Sequence, residues 1–195
     1  HTTASQIITE MNTPGTTSSQ SVLRVYLLGS FTVEWANGTL LNLDTLLGRT
    51  QSSILLKLLL CHTERRVIRE RLIDVIWPGQ PYSAMEGSLS VAKSILKTRL
   101  EAACGQPVMP RVSGDPPGYS LVGQTVIWTD VDACEQFIHQ AVNTRNAQDA
   151  LPLWETAYAL MQRGMLLADD QDAYWYQTSL VQDHRKRLAR QRTQC

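Results

Sequence analysis

Residues 67–100, VIRERLIDVIWPGQPYSAMEGSLSVAKSILKTRL, decide how the rest of the chain is read. In VIRERLIDVIW, Leu72, Ile73 and Ile76 fall at i, i+1 and i+4, one face of a helix that Trp77 closes and Pro78-Gly79 stop. PGQPYSAMEG then reads as a turn-rich connector. In SLSVAKSILKTRL, Leu89, Ala92, Leu96 and Leu100 recur every three or four residues, and Val91 and Ile95 widen that stripe. Glu86, Ser90, Lys93, Ser94 and Lys97 are left on the opposite face. Two short helices, the second with a polar and basic outer stripe, meet the needs of a helix-turn-helix. The first braces, and the second lies in a major groove about 12 Å wide. Two packed helices with a solvated face carry the same pattern, so the flanks must decide.

Upstream, the chain alternates. Leu23, Val25 and Leu27 share one face and Arg24 and Tyr26 the other; Phe31, Val33 and Trp35 repeat the pattern, and Asn37-Gly38 signals a two-residue hairpin turn. Leu41 and Leu43 suggest a third short strand, completing a small antiparallel sheet. Gly48 to Cys61 contains ILLKLLLC, apolar almost all round, which is the signature of a helix buried at the centre of a domain. Glu64-Arg65-Arg66 reads as a basic turn into the two helices.

Downstream of Leu100, residues 105–110 break the helix. Val108 to Val112 is set to pair with Tyr119 to Val122 across SGDPPG, and Thr125 to Trp128 adds a last strand. A helix followed by a β-hairpin with Arg111 at its base is the order of a winged helix. Its tip, Ser113-Gly114, suits close approach to a phosphate because glycine has no side chain. From Thr129 the texture changes. Val131, Cys134, Phe137, Ile138, Ala141 and Val142 make one amphipathic helix. Ala150, Leu153, Trp154, Ala157, Leu160 and Met161 make another, starting near Gln148 or Asp149 because Pro152 limits its entry. Small alanines between large residues in a helix pair suggest a tetratricopeptide-type hairpin, too short to stand alone. A third helix is expected from about Asp172, through Trp175, to Arg192.

Composition narrows the function classes. The 195 residues are 43% hydrophobic and 18% charged, as in ordinary globular proteins. No apolar run approaches the roughly 18 residues of a membrane span. Cys61, Cys104, Cys134 and Cys195 lie far apart with no CxxC spacing, which points to free thiols rather than a disulfide frame or a zinc site. Net charge is zero, but residues 22–128 hold 11 Lys and Arg against 8 Asp and Glu, while residues 129–195 hold 7 against 9. The first part thus leans in the direction a DNA-binding unit requires. Enzyme motifs are missing. The sequence has no Gly-rich phosphate loop with lysine, no GxSxG and no HExxH, and His62, His139 and His184 are scattered. Neither a catalytic set, a metal nor a cofactor is expected.

The series LRVYLLGSFTV, ILLKLLLCHTERRVIRERLIDVIWPG, SLSVAKSILKTRL, PPGYSLV, TDVDACEQF, ALPLWETAYAL and LLADDQDAYW carries a family resemblance. Residues 23–193 resemble the Streptomyces antibiotic regulatory protein type of transcription activator. That family joins an OmpR/PhoB-like winged helix to a bacterial transcriptional activator domain of tetratricopeptide-like helices. The expected fold is an α+β winged helix-turn-helix over 22–128, followed by an all-α tetratricopeptide-like helical domain over 129–195, with a disordered tail at 1–21. The resemblance implies a cytoplasmic, nucleoid-associated bacterial activator. It implies binding to direct repeats in double-stranded promoter DNA, contact with RNA polymerase, self-association on DNA and no membrane partner. It also implies a natural protein longer than this chain.

Carried over by position, Ala84 to Ala103 matches the recognition helix, Trp77 to Ser83 the loop facing polymerase, and Arg111 to Tyr119 the wing. The DNA contacts are then expected from Arg65, Arg66, Arg69, Ser88, Ser90, Lys93, Ser94, Lys97, Arg111, Ser113, Gly114 and Tyr119. Polymerase contacts are expected from Trp77, Gly79, Gln80 and Tyr82. The chain departs from the family where Ile95 and Thr98 replace arginines, Lys93 replaces an apolar residue, and Ile68 replaces a serine cap. A rival reading, of a different class, makes the same fold a protein-protein interaction module without DNA binding, using a helical groove and exposed Tyr174 and Tyr176.

Overall fold

A computed structural model describes residues 22–35, 38–48, 50–62, 65–104, 109–122 and 126–193. The expected tail at 1–21 lies outside the described residues, as do Asn37 and Arg49. The alternation read at the start of the chain forms β1, Val22–Tyr26, and β2, Thr32–Glu34, which pair antiparallel with Val25 opposite Val33. Leu23, Val25, Leu27 and Val33 are buried. The backbone N–H of Trp35 donates to the Thr39 carbonyl (2.9 Å), and Gly38 takes φ +81° between them. The turn therefore encloses three residues with glycine in the left-handed position, rather than two. β3 is only Leu40–Leu41. Leu43, expected on this strand, instead opens α1, Leu43–Leu46, because the Asn42 side chain accepts from the Thr45 N–H (3.0 Å) and starts a helical turn.

The sheet is mixed rather than antiparallel. Its strand order is β3-β2-β1-β7, where β7, Val126–Thr129, lies parallel to β1 with Leu23 opposite Ile127. A parallel partner must arrive through a long crossover, and here the crossover is the whole helical and hairpin unit between β3 and β7. Within it, α2, Gln51–Cys61, is the buried central helix its composition suggests. α3, Arg69–Ile76, and α4, Tyr82–Cys104, pack against it through Leu72, Ile73, Leu89, Leu96 and Leu100, all fully buried. The Ser52 hydroxyl donates to the Ala92 carbonyl (2.9 Å), tying α2 to α4.

A strand unseen in the sequence, β4, Arg66–Ile68, runs between α2 and α3. It is too short to show alternation. It pairs with β6, Gly118–Val122, which also pairs with β5, Met109–Ser113, giving a three-stranded sheet of order β4-β6-β5. The expected hairpin is thus anchored on a third strand.

β7 runs straight into α5, Asp130–Asn143, where the Thr129 hydroxyl accepts from the Asp132 N–H (3.0 Å). α6, Ala147–Met161, has its N-cap at Asn146, two to three residues earlier than Gln148 or Asp149, where Pro152 suggested it, and the Asn146 side chain accepts from the Gln148 N–H. Ala133, Cys134, Phe137 and Ile138 of α5 meet Ala157, Leu160 and Met161 of α6 in a small core of their own. The third helix is broken where one was expected. Tyr174–Gln177 forms a 3-10 turn, and α7 runs only over Ser179–Arg192.

The segment after α6 returns to the first core. Leu166, Leu167, Trp175, Tyr176, Val181 and Leu188 are buried in the same cluster as Leu27, Leu59 and Leu72. The backbone contact is close. Gly29 N–H donates to Met165 O (2.8 Å), Leu167 N–H to Leu27 O (2.7 Å) and Ala168 N–H to Gly29 O (2.9 Å). A Cβ on Gly164 would stand 2.9 Å from the Gly29 Cα, so this crossing requires glycine. Asp130, fully buried, clamps the same corner by accepting from Leu27 N–H (2.7 Å) and Leu28 N–H (3.0 Å).

Candidate nucleic-acid interface

α3 begins without a side-chain cap, since Ile68 has no oxygen to offer. The Arg69 N–H instead donates to the Pro117 carbonyl of the β5–β6 loop (3.1 Å), so the wing itself satisfies the helix end. At the other end Trp77 N–H donates to Ile73 O (2.8 Å), Gly79 turns at φ +78°, and Gln80 N–H donates to Trp77 O (3.1 Å). The connector is only 77–81. Tyr82, expected in a polymerase-facing loop, is the first residue of α4, and its hydroxyl donates to Glu86 Oε1 (3.4 Å). Of the other residues expected there, Trp77 is half-buried against the core, whereas Gly79 and Gln80 are exposed.

α4 buries Leu89, Ala92, Leu96 and Leu100 and exposes the far side. Val91 and Ile95 are not part of the buried stripe; they are 58% and 38% exposed. At about 100° per residue they stand well round the helix from the line through Leu89, Ala92 and Leu96. They border a shallow open depression with Gly87, Ser90, Ser94, Thr98 and Arg99. Ser88, Ser90, Ser94 and Lys97 are exposed as expected, and Lys93 is half-buried. Thr98, absent from the contacts expected above, shares this surface, and its helical distance from Leu96 and Leu100 was the available signal. Arg99 also borders it, with its guanidinium donating to the Leu46 carbonyl (3.0 Å).

The arginines are arranged differently from the expectation. Arg65, with φ +50°, donates to the Ile127 carbonyl (3.0 Å) and forms an ion pair with Asp132 of α5. It is a tie between the two halves of the chain, where a DNA contact was expected. Arg66 donates to the Pro116 carbonyl (2.6 Å) in the turn at the tip of the wing. Arg69 is paired with Glu86 of α4 (2.5 Å), which leaves the carboxylate near the outer face compensated.

The wing also differs in detail. Gly114 has φ +80°, but a Cβ there would collide with the Arg66 guanidinium. The close approach that glycine permits is to Arg66 rather than to a phosphate. Tyr119 is 2% exposed and lies beneath the surface, with the Arg69 guanidinium and the Lys93 ammonium each 5.9 Å from its ring centre. Burial pushes its phenol above the ordinary value, with Arg69 opposing. It orients two cations and does not itself reach a ligand, because strand alternation places Tyr119 inward toward the helices. Arg111 and Ser113 lie on β5 opposite Ser120 and Gly118; their side chains lie outside the described residues. Exposed Asp115 adds a negative charge at the tip.

Of the aromatics in the rival reading, Tyr176 is fully buried and donates to Leu166 O (2.7 Å). Tyr174 is half exposed, and its hydroxyl donates to Ile76 O (2.6 Å). Among the described residues no group of three or more His, Cys, Asp or Glu is placed to hold a metal ion, and no helix is long and apolar enough to cross a membrane.

No family model matches the chain, and neither does any curated protein. Among solved structures it is similar to Mycobacterium tuberculosis EmbR in complex with a low affinity phosphopeptide, with a TM-score of 0.64 and 23% sequence identity. The match covers 88% of this chain and 43% of that one, so this chain spans less than half of the structure it matches. Over nearly all its length, the chain has the fold of that part of EmbR.

Proposed function

We propose that this chain is a DNA-binding transcription regulator of the Streptomyces antibiotic regulatory protein type, inserting α4 into the major groove while the β5–β6 wing lies along the adjacent backbone. The observation that carries this reading is the outer face of α4. It is held open by a fully packed three-helix core, is lined by small polar side chains, and is flanked by Lys93 and Lys97 on one side and Arg99 on the other. Helix α3 braces it, and the wing caps α3. The ordered motifs in the sequence and the fold shared with EmbR support the same conclusion. In this reading the exposed turn at Pro78, Gly79 and Gln80 faces RNA polymerase, and activation from promoter direct repeats follows.

The test is fluorescence anisotropy on a pool of random duplexes across salt concentrations. Each phosphate neutralised contributes about 0.9 to the slope of log affinity against log salt. Wild type is expected to bind with a steep slope, and Lys93→Ala/Lys97→Ala to lower that slope by roughly two. An undiminished slope in the double variant removes α4 from the interface. The second reading, a protein-interaction module, draws on exposed Val142, Leu151 and Tyr158 of the α5–α6 pair. It takes over if no duplex binds at low salt.

A further inference from the structure

The crest of α4 runs from Gly87 through Val91 to Thr98, steps that return to the same side of a helix. Among these described residues none on the crest itself is an arginine, lysine, asparagine or glutamine able to make the paired hydrogen bonds that read guanine or adenine: Lys93 and Lys97 lie on its flank, and Arg99 donates to the Leu46 carbonyl (3.0 Å). Ser94 has its proton committed, since its hydroxyl donates to the Ser90 carbonyl one turn back (2.9 Å). The crest therefore presents two apolar side chains, Val91 and Ile95, both exposed, between small neighbours that keep the helix slender. Four residues apart on one side of the helix, they form a contiguous apolar spot that a partner can cover.

Its surroundings select the partner. Lys93 and Lys97 flank the crest on one side and Arg99 on the other; Glu86 is held by Arg69, and Glu101 stands at the far end. A ligand that is anionic at both margins and apolar at its centre fits this arrangement. A major groove lined by thymine methyl groups between two phosphate backbones has that layout. Resting on the DNA-binding reading, we propose that Val91 and Ile95 are specificity residues that read thymine by its 5-methyl group, giving α4 a preference for T·A pairs without hydrogen-bond readout at those positions.

The experiment uses the whole chain and the duplexes selected from a random pool, each then remade with every thymine replaced by uracil. Uracil keeps the hydrogen-bonding edge and the phosphate charge and lacks only the methyl. Loss of one buried methyl corresponds to about fourfold in affinity, from roughly 0.8 kcal/mol per CH2-sized group. The uracil duplexes are expected to bind about fifteenfold more weakly if two methyls are contacted. Val91→Ala/Ile95→Ala, at exposed helical positions where alanine folds well, is expected to abolish the difference while leaving the salt slope unchanged. If thymine and uracil duplexes bind alike while the slope still responds to Lys93→Ala/Lys97→Ala, methyl reading is overturned and DNA binding stands. Methyl reading by these two residues is likewise overturned if the double alanine variant still discriminates. If neither duplex binds at low salt, both readings fall together.

Discussion

His184 shows how a single residue acts on stability here. It is 7% exposed on α7, and its ring nitrogen Nδ1 lies 2.8 Å from Arg187 Nη2. Burial, with Arg187 adding to it, holds its pKa down at about 4, against an ordinary 6.5. The folded protein therefore resists a proton that the unfolded chain accepts. The neutral form's contribution is complete above pH 6.5 and is lost as pH falls toward 4. Between pH 7 and 5 the loss is about 2 kcal/mol at ~1.36 kcal/mol per unit. Asp130 works the other way. Burial raises its pKa to about 6 against the opposing N–H groups of Leu27 and Leu28 and the Arg163 charge, so its contribution is fully present below pH 3.8 and is lost as pH rises through 6. Wild type and a His184 variant both keep Asp130, so the difference between them isolates the histidine. His184→Gln is expected to lose less thermal stability than wild type between pH 7 and 5; parallel melting-temperature curves would remove the histidine as the cause.

At the scale of an element, α4 carries one of its two acidic residues in an unusual place for a helix proposed to meet phosphates. Glu86 sits on the flank shared with Lys93 and Lys97, and its compensation comes from Arg69 of α3 across the helix-turn-helix. A partly exposed pair of this kind contributes little to stability, about 0–1 kcal/mol. In the proposed complex it would also set Arg69 and Glu86 against each other rather than against phosphate. Glu86→Gln keeps acceptors for Arg69 and Tyr82 while removing the negative charge. It is expected to melt within about 1 kcal/mol of wild type, to bind duplex more tightly at low salt, and to steepen the salt slope by about one. Titrations that superimpose on wild type would mean that Arg69 and Glu86 lie off the DNA.

For the whole molecule, the decisive feature is that the chain folds back on itself. Trp175, Tyr176 and Val181 share a core with α2 and α3, Lys57 of α2 is paired with Asp170 (2.6 Å), and Asp130 binds the end of β1 from the start of α5. A winged helix with a separately folded helical appendage would melt in two steps. This arrangement is expected to melt in one, with tryptophan fluorescence and far-ultraviolet circular dichroism reporting the same midpoint. Asp130→Ala strands two buried N–H groups and should lower that midpoint by the equivalent of about 1–3 kcal/mol for each. Separate midpoints in the wild type would mean that α5 and α6, which have their own small core, unfold independently.

Local physics made much of this legible in the residues alone. The buried α2, the two helices of the helix-turn-helix, the hairpin beyond them and the α5–α6 pair all follow from apolar spacing and from where glycine and proline interrupt it, because those signals act within a few residues. The exposed serines and Lys97 of α4 follow from the same periodicity. The misassignments have a common origin. Val91 and Ile95 looked like core because hydrophobicity does not say which side of a helix has a neighbour. Arg65 looked like a DNA contact because its partners, Ile127 and Asp132, lie more than sixty residues away. Tyr119 and Tyr176 looked available because aromatic residues suit surface and core equally. β4 has no signal of its own until β6 pairs with it, and β7 takes its parallel place only when the crossover is complete. The chain by itself determined its main helices and the hairpin beyond them; only the tertiary structure decided the short strand β4, which charges neutralise one another and which apolar side chains remain facing water, since all depend on contacts between residues distant in sequence.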